Sequence, residues 1–188
     1  MVFSFLQENL PAASNPTRAE RGRQNWLLNS INPKSCEQIL NQEHGRNLFD
    51  AISGNSPFLS QIIEQEAEFT LRLFEFGPDQ VFTEILQRLD TWRAHESYTM
   101  GIMPFLRKSK KQMALVIAMA DIAGVWSTEE VMGRLSEFAE KTISLVCCYI
   151  IEKYMQEGEI QLKDRRDPGK RSGYFILALG KLGARELN

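Results

Sequence analysis

Apolar residues recur at intervals of three and four along most of the chain, the spacing of one helix face. Pro16-Thr17 opens a first predicted helix, running to about Asn29 with Trp26 and Leu27 inward; proline is tolerated in a first helical turn. Asn32-Pro33 breaks it and starts a second through Leu40, and Glu43–Ile52 is a third, closed by Gly54. Ser56 before Pro57 has the residue types of an N-cap followed by proline at N1. The helix it opens carries Leu59, Ile62, Ile63, Ala67, Leu71 and Phe74 on one stripe, as far as Gly77. The next follows Gly77-Pro78-Asp79, with Val81, Phe82, Ile85, Leu86, Leu89 and Trp92 inward.

Gly101 to Pro104 is a break or entry turn. A long helix is expected from Phe105 to Ala123, burying Leu106, Met113, Val116, Ile117 and Ala120, with Gly124 as its C′ residue. Ser127-Thr128-Glu129-Glu130 has the form of a capping box. It launches the longest helix, to about Gln156, along Val131, Leu135, Phe138, Thr142, Leu145, Val146, Tyr149 and Ile150. Residues 1–16 are read as a capping arm, with Phe3, Phe5 and Leu6 available to pack.

The period changes near the end. Residues 158–173 are charged and carry Gly and Pro, as a solvated linker or hairpin does; Glu159–Leu162 alternates like an edge strand. Tyr174-Phe175-Ile176-Leu177-Ala178-Leu179 is a continuous apolar run, read as a buried strand. Gly180-Lys181-Leu182-Gly183 then reads as a turn, and Ala184–Leu187 as the first turn of a helix. The fold class is mainly α: a helical region (1–157), a charged linker (158–173), and the first strand of an α/β domain (174–188).

Composition limits the function classes. With 22 basic and 24 acidic residues the net charge is −2, so no global field attracts nucleic acid. Three cysteines, Cys36 and the adjacent Cys147 and Cys148, make no disulfide framework and fit a reducing cytoplasm. No apolar run reaches the ~18 residues of a membrane span. The first eleven residues lack the basic start of a secretory signal.

A strand, a glycine turn and a helix start together can cradle a phosphate, because glycines let backbone N–H groups approach an anion. Gly180, Lys181 and Gly183 are the candidate phosphate-binding residues, the glycines through N–H groups and Lys181 through charge. On spacing alone a tight turn without a ligand is the stronger reading. Glu186 is read as a first-turn acid complementing a helix dipole before a catalytic group. No Asp-x-Asp follows the turn. Asp164 and Asp167 precede it in a basic stretch, where salt bridging is the better reading. His44 and His95 have no metal spacing, and the cysteines have packing roles. Arg107, Lys108, Lys110 and Lys111 read first as a solvated helix face, and second as a contact for an acidic partner or a phosphate. Lys170-Arg171-Ser172 lacks the spacing of a Walker A loop.

Ala178-Leu179-Gly180-Lys181-Leu182-Gly183-Ala184-Arg185-Glu186-Leu187-Asn188 resembles a signature of the bifunctional glutamine synthetase adenylyltransferase/adenylyl-removing enzymes. Gly54-Asn55-Ser56-Pro57-Phe58-Leu59 is similar to an element near that family's N-terminus. Arg107–Trp126, with Asp121-Ile122-Ala123-Gly124, resembles its basic helix start and Asp-containing helix end. The resemblance implies that residues 174–188 open a polymerase-beta-like nucleotidyltransferase domain, the one associated with adenylyl removal. It implies transfer of AMP to a tyrosine of glutamine synthetase and its phosphorolytic removal, with ATP, ADP and phosphate as substrates and Mg²⁺ as cofactor. Glutamine synthetase and a PII signalling protein are the implied partners, without nucleic acid or membrane. The family's metal-binding Ser-Asp-x-Asp-Leu segment is expected beyond Asn188, so the chain is read as an N-terminal fragment, inactive by itself. The alternative is a helical regulatory or interaction module without catalysis.

Overall fold

The computed structural model describes residues 10–92, 101–162 and 172–188. Phe3, Phe5, Leu6, His95, Asp164 and Asp167 lie outside the described residues, as does most of the charged linker. The described architecture is helical: α1 (Pro16–Asn29), α2 (Pro33–Asn41), α3 (Glu43–Asn55), α4 (Pro57–Gln65), α5 (Ala67–Phe76), α6 (Pro78–Thr91), α7 (Ile102–Ile122), α8 (Thr128–Gln156) and a short α9 (Gly180–Ala184). Among the described residues no helix is long and apolar enough to cross a membrane. Two compact units are present. One takes in residues through Ile85 together with Lys108–Val131; the other takes in Leu86–Arg107 and Met132–Asn188.

In the first unit α1 packs against α3 and α4. Its centre is aromatic: Trp26 lies 5.2 Å from Phe49 and 5.5 Å from Phe74, all three buried. The Trp26 indole N–H donates to the Ala67 carbonyl at 3.0 Å, so this ring is buried with its polar atom satisfied. Gly22 brings α1 close to α3, since a Cβ there would stand 2.4 Å from Ser53 Oγ. Ser53 Oγ in turn donates to Ser60 Oγ at 3.1 Å. Residues 12–15 dock on the end of α3. Ser14 N–H donates to Asn55 Oδ1 (2.9 Å), Asn55 Nδ2 to the Ala12 carbonyl (3.0 Å) and Asn15 N–H to the Gly54 carbonyl (3.2 Å). The Arg18 guanidinium donates to the Ser53 and Gly54 carbonyls. These are the C-terminal carbonyls that α3 cannot satisfy within itself.

The caps expected at Ser56 and Ser127 form, and Asn15 and Asn32 cap their helices as well. Asn15, Asn32 and Ser56 accept from the backbone N–H groups of Arg18, Ser35 and Leu59. Ser127 N–H donates to Glu130 Oε2 at 2.7 Å and Glu130 N–H to Ser127 Oγ at 3.3 Å, the reciprocal pair of a capping box. Gly124 sits at φ 65, its N–H on the Asp121 carbonyl and that of Val125 on the Ala120 carbonyl. That closes α7 in a left-handed cap.

Helix α7 begins at Ile102, inside the Gly101–Pro104 turn expected ahead of it, and three further expectations change. The helix expected from Pro57 through Phe74 is two, α4 and α5, broken at Glu66 (φ −123, ψ 49). Its whole stripe is nonetheless buried. The cause is tertiary: the Glu66 carboxylate accepts from Gln112 Nε2 at 2.9 Å and pairs with Lys108 Nζ at 3.5 Å, while Lys111 Nζ reaches Gln65 Oε1 at 2.9 Å. Two of the four cations in the basic cluster thus clamp α7 to this break. Arg107, Lys108 and Lys110 are exposed and Lys111 is half-buried. Second, Glu159–Leu162 forms no strand; Glu159 N–H returns to the Tyr154 carbonyl and Gly158, at φ 80, ends α8. Third, Tyr174–Leu179 carries no strand ladder, and among the described residues there is no strand at all. A strand is defined by a paired neighbour, and this run has none there.

Trp126 is buried, edge-on to Phe82 at 5.6 Å, and its indole N–H donates to Asp79 Oδ1 at 3.0 Å. In the second unit Trp92 meets Phe105 at 6.0 Å and Tyr149 at 5.8 Å. Lys141 Nζ holds both carboxylate oxygens of Asp90, at 2.6 and 2.7 Å. Of the α8 stripe in this unit, Leu135, Phe138, Thr142, Leu145, Val146 and Tyr149 are half-buried and Ile150 is exposed, while Ile151, off the stripe, is buried.

Candidate functional site

The glycine turn folds differently from its expected form. Helical residues are Gly180–Ala184 themselves, and the backbone reverses at Arg185, which adopts φ 60. The Arg185 N–H donates to the Leu182 carbonyl at 3.1 Å and the Glu186 N–H to the Lys181 carbonyl at 2.7 Å. This is the left-handed termination usually given to glycine. The helix expected from Ala184 to Leu187 is therefore its exit. Glu186 follows the turn and is exposed, so it is not a first-turn acid.

The two glycines have different roles. Gly180 enters the turn at φ 58, a conformation that favours glycine, with open space where a Cβ would stand. Gly183 is needed for close approach: a Cβ would stand 2.5 Å from the Ala178 carbonyl oxygen. Its N–H donates to the Leu179 carbonyl at 3.4 Å. Lys181 Nζ donates to Asn188 Oδ1. The structure thus brings Gly180, Lys181 and Gly183 into one solvent-facing turn. Two of their donors are held by internal partners that an anion would have to replace.

Beside the turn lies an open groove of about 400 Å³ between α8 and Tyr174–Leu182. Glu140, Ile143, Ser144 and Cys147 form its helical wall, and Arg185 pairs with Glu140 across 3.6 Å. Sequence reasoning passed over this wall because it followed the neighbouring stripe through Thr142, Leu145 and Val146. The spacing of 140, 143, 144 and 147 was a second helical face, legible but mixed in polarity.

Mg²⁺ is not accommodated by what is described. No group of three His, Cys, Asp or Glu side chains among the described residues could hold a metal ion. Near the turn stand Glu186 and an already paired Glu140. Cys36 is buried within the first unit; burial raises its thiol pKa above the ordinary 9.0, opposed by a hydrogen bond with Ser30 and reinforced by Glu68 and Glu75.

Comparison with known proteins places this arrangement. Residues 47–188 match the family model described as glutamate-ammonia ligase adenylyltransferase. Among similar proteins is the bifunctional glutamine synthetase adenylyltransferase/adenylyl-removing enzyme of Bradyrhizobium sp. (strain BTAi1 / ATCC BAA-1182). It is 29% identical over 181 residues, covering 95% of this chain and 18% of the relative. The Rhodopseudomonas palustris (strain TIE-1) protein of the same description is 30% identical over 204 residues, covering all of this chain and 20% of the relative. That of Brucella suis biovar 1 (strain 1330) is 27% identical over 192 residues, covering 98% and 19%. The chain therefore spans about a fifth of the length of the curated relatives it matches. No solved structure matches. The family match runs through the helical region and the glycine turn alike, and on it the chain belongs to the glutamate-ammonia ligase adenylyltransferase family.

Proposed function

We propose that the chain is the N-terminal part of a nucleotidyltransferase that adds AMP to a tyrosine of glutamine synthetase and removes it, in response to a PII protein, in the cytoplasm. The observation that carries this reading is the family match extending across Gly180–Gly183 to residue 188. In this reading Tyr174–Leu179 is the first strand of the catalytic domain, and residues 1–157 are its helical scaffold.

The turn's part is to hold a phosphate of ATP or ADP, or inorganic phosphate. Gly180 and Gly183 keep the backbone free of side chains on the approach. Lys181 is exposed, so its ammonium exchanges Asn188 for a phosphate oxygen. Phosphoryl-type transfer depends chiefly on such positioning and charge neutralisation. Since the described residues offer no set of carboxylates for Mg²⁺, no step is assigned to the metal here. The 188-residue chain by itself is expected to bind nucleotide weakly and to transfer nothing.

The test is release of labelled AMP from adenylylated glutamine synthetase. The chain is assayed alone and extended by the following part of its gene, to the length of the relatives. Phosphate-dependent release by the extended chain, reduced about tenfold or more by Lys181→Ala, is expected; losing one charged contact costs about 1.4 kcal/mol or more at a transition state. Full activity of the extended K181A variant would remove Lys181 from the site. Activity of the 188-residue chain would show that the reacting groups are already within it.

A further inference from the structure

Among the described residues every positive φ belongs to a glycine, except that of Arg185. A side chain in this conformation brings its Cβ close to the following carbonyl oxygen, a cost that glycine escapes. Such positions persist where their surroundings hold them, and they gather at functional sites. Two sets of contacts hold this one. The backbone closes α9, with the Arg185 N–H on the Leu182 carbonyl at 3.1 Å and the Glu186 N–H on the Lys181 carbonyl at 2.7 Å. The guanidinium meets the Glu140 carboxylate of α8 at 3.6 Å. At the other end of the turn Gly183 is pressed onto the Ala178 carbonyl oxygen, where a Cβ would stand 2.5 Å away. In sequence Lys181 lies between these two anchors. Helix α9 has five residues, too few to be stable by itself, so what it is tied to sets its direction.

We infer that Glu140 and Arg185 are positioning residues for Lys181. Glu140 holds the guanidinium, and the guanidinium steadies the left-handed exit. The exit in turn fixes the Lys181 carbonyl, and with it the base of the lysine side chain. Helix α8 thereby sets the aim of the turn through one carboxylate, and neither residue of the pair touches phosphate itself. This role rests on the phosphate-holding part proposed above for the turn. The side chains of Arg185 and Glu140 are 54% and 46% exposed. Solvent therefore screens the pair, and its effect on the site is a few-fold. Two substitutions separate charge from backbone shape. Glu140→Gln keeps the outline of the side chain and removes the attraction. Arg185→Gly keeps the left-handed conformation and removes the guanidinium.

Phosphate-dependent AMP release by the extended chain tests the pair, alongside amide hydrogen exchange in the 188-residue chain. Glu140→Gln is expected to raise the KM for phosphate about threefold and to leave kcat nearly unchanged, as loss of binding shared by ground and transition states does. Arg185→Gly is expected to give the same rise, and the double variant no further one, because either change breaks the same contact. Glu140→Lys combined with Arg185→Glu is expected to recover most of the loss. In a Lys181→Ala background Glu140→Gln is expected to have no effect, since the pair acts through the lysine. In the 188-residue chain E140Q is expected to speed exchange at the Arg185 and Glu186 amides about threefold, with helical circular dichroism unchanged. An active extended chain whose KM does not respond to E140Q, or responds equally without Lys181, overturns the inference and leaves the proposed function standing. An extended parent chain that releases no AMP overturns the proposed function, and the positioning role with it. Unchanged exchange at both amides in E140Q overturns the inference whatever the activity.

Discussion

Trp126 is the position at which the packing of the first unit is best tested. Its ring is buried edge-on to Phe82, and its single polar atom is bonded to Asp79 across 47 residues of sequence. Trp126→Ala removes both contributions and opens a cavity, an effect of about 3–5 kcal/mol for a large aromatic in a core. Trp126→Phe keeps a ring against Phe82 and removes the indole N–H. Asp79 is exposed, so water takes up the vacated lone pair, and the loss belongs at the lower end for a charge-assisted bond, about 1–1.5 kcal/mol. The ring therefore accounts for most of the stabilisation. Urea titrations followed by far-ultraviolet circular dichroism measure both variants against the parent. With a typical slope of about 1–3 kcal/mol per molar, W126A shifts the midpoint by more than 1 M and W126F by less. Equal losses in the two variants would mean that the hydrogen bond dominates, and no loss in W126A would refute the core assignment outright.

Two further perturbations follow from close approach and burial. Gly22→Ala pushes a methyl group onto Ser53 Oγ and is expected to destabilise by about 1–3 kcal/mol as an overpacked site; in a Ser53→Ala background the same change is expected to cost far less. The double-mutant cycle measured by urea denaturation reports that difference as coupling. Cys36, held above its ordinary 9.0 by burial, is expected to react with iodoacetamide only on unfolding. Its folded pKa is raised, so its contribution is fully present below pH 9 and is lost as pH rises from the unfolded value through the folded one. Thermal melts from pH 8 upward, compared with Cys36→Ser, isolate the effect; a steeper alkaline loss in the serine variant contradicts it.

Helix existence was legible because it is local information. Asn15, Asn32, Ser56 and the Ser127–Glu130 pair are short-range devices whose partners lie within three residues. The break at Glu66 was not legible. The stripe Leu59, Ile62, Ile63, Ala67, Leu71, Phe74 keeps its phase through the break. What divides the helix is a carboxylate held by Gln112 and Lys108 from far along the chain. The same contacts link Lys108 and Lys111 to the break, although three of the four cations, Lys108 among them, keep the solvated face that the sequence suggested. At the glycine turn the local rule itself misled. Low helix propensity at Gly180 and Gly183 placed the helix after them, whereas the structure winds it through them and stops at an arginine in a left-handed conformation. Tyr174–Leu179 was legible as an apolar run, but it is neither paired as a strand nor buried among the described residues, because both depend on a neighbour that no local pattern specifies.

Asn15 stands at a junction with consequences for how the chain opens and closes. Its side chain starts α1, while its backbone N–H, with the Arg18 guanidinium, takes up the carbonyls that finish α3. Neither helix end is complete without the other, although about 40 residues separate them. The first turn of α1 and the last turn of α3 should therefore exchange their amides as one cooperative unit. A protease nick anywhere within residues 12–15 would be felt first at Asn55, not at the cut.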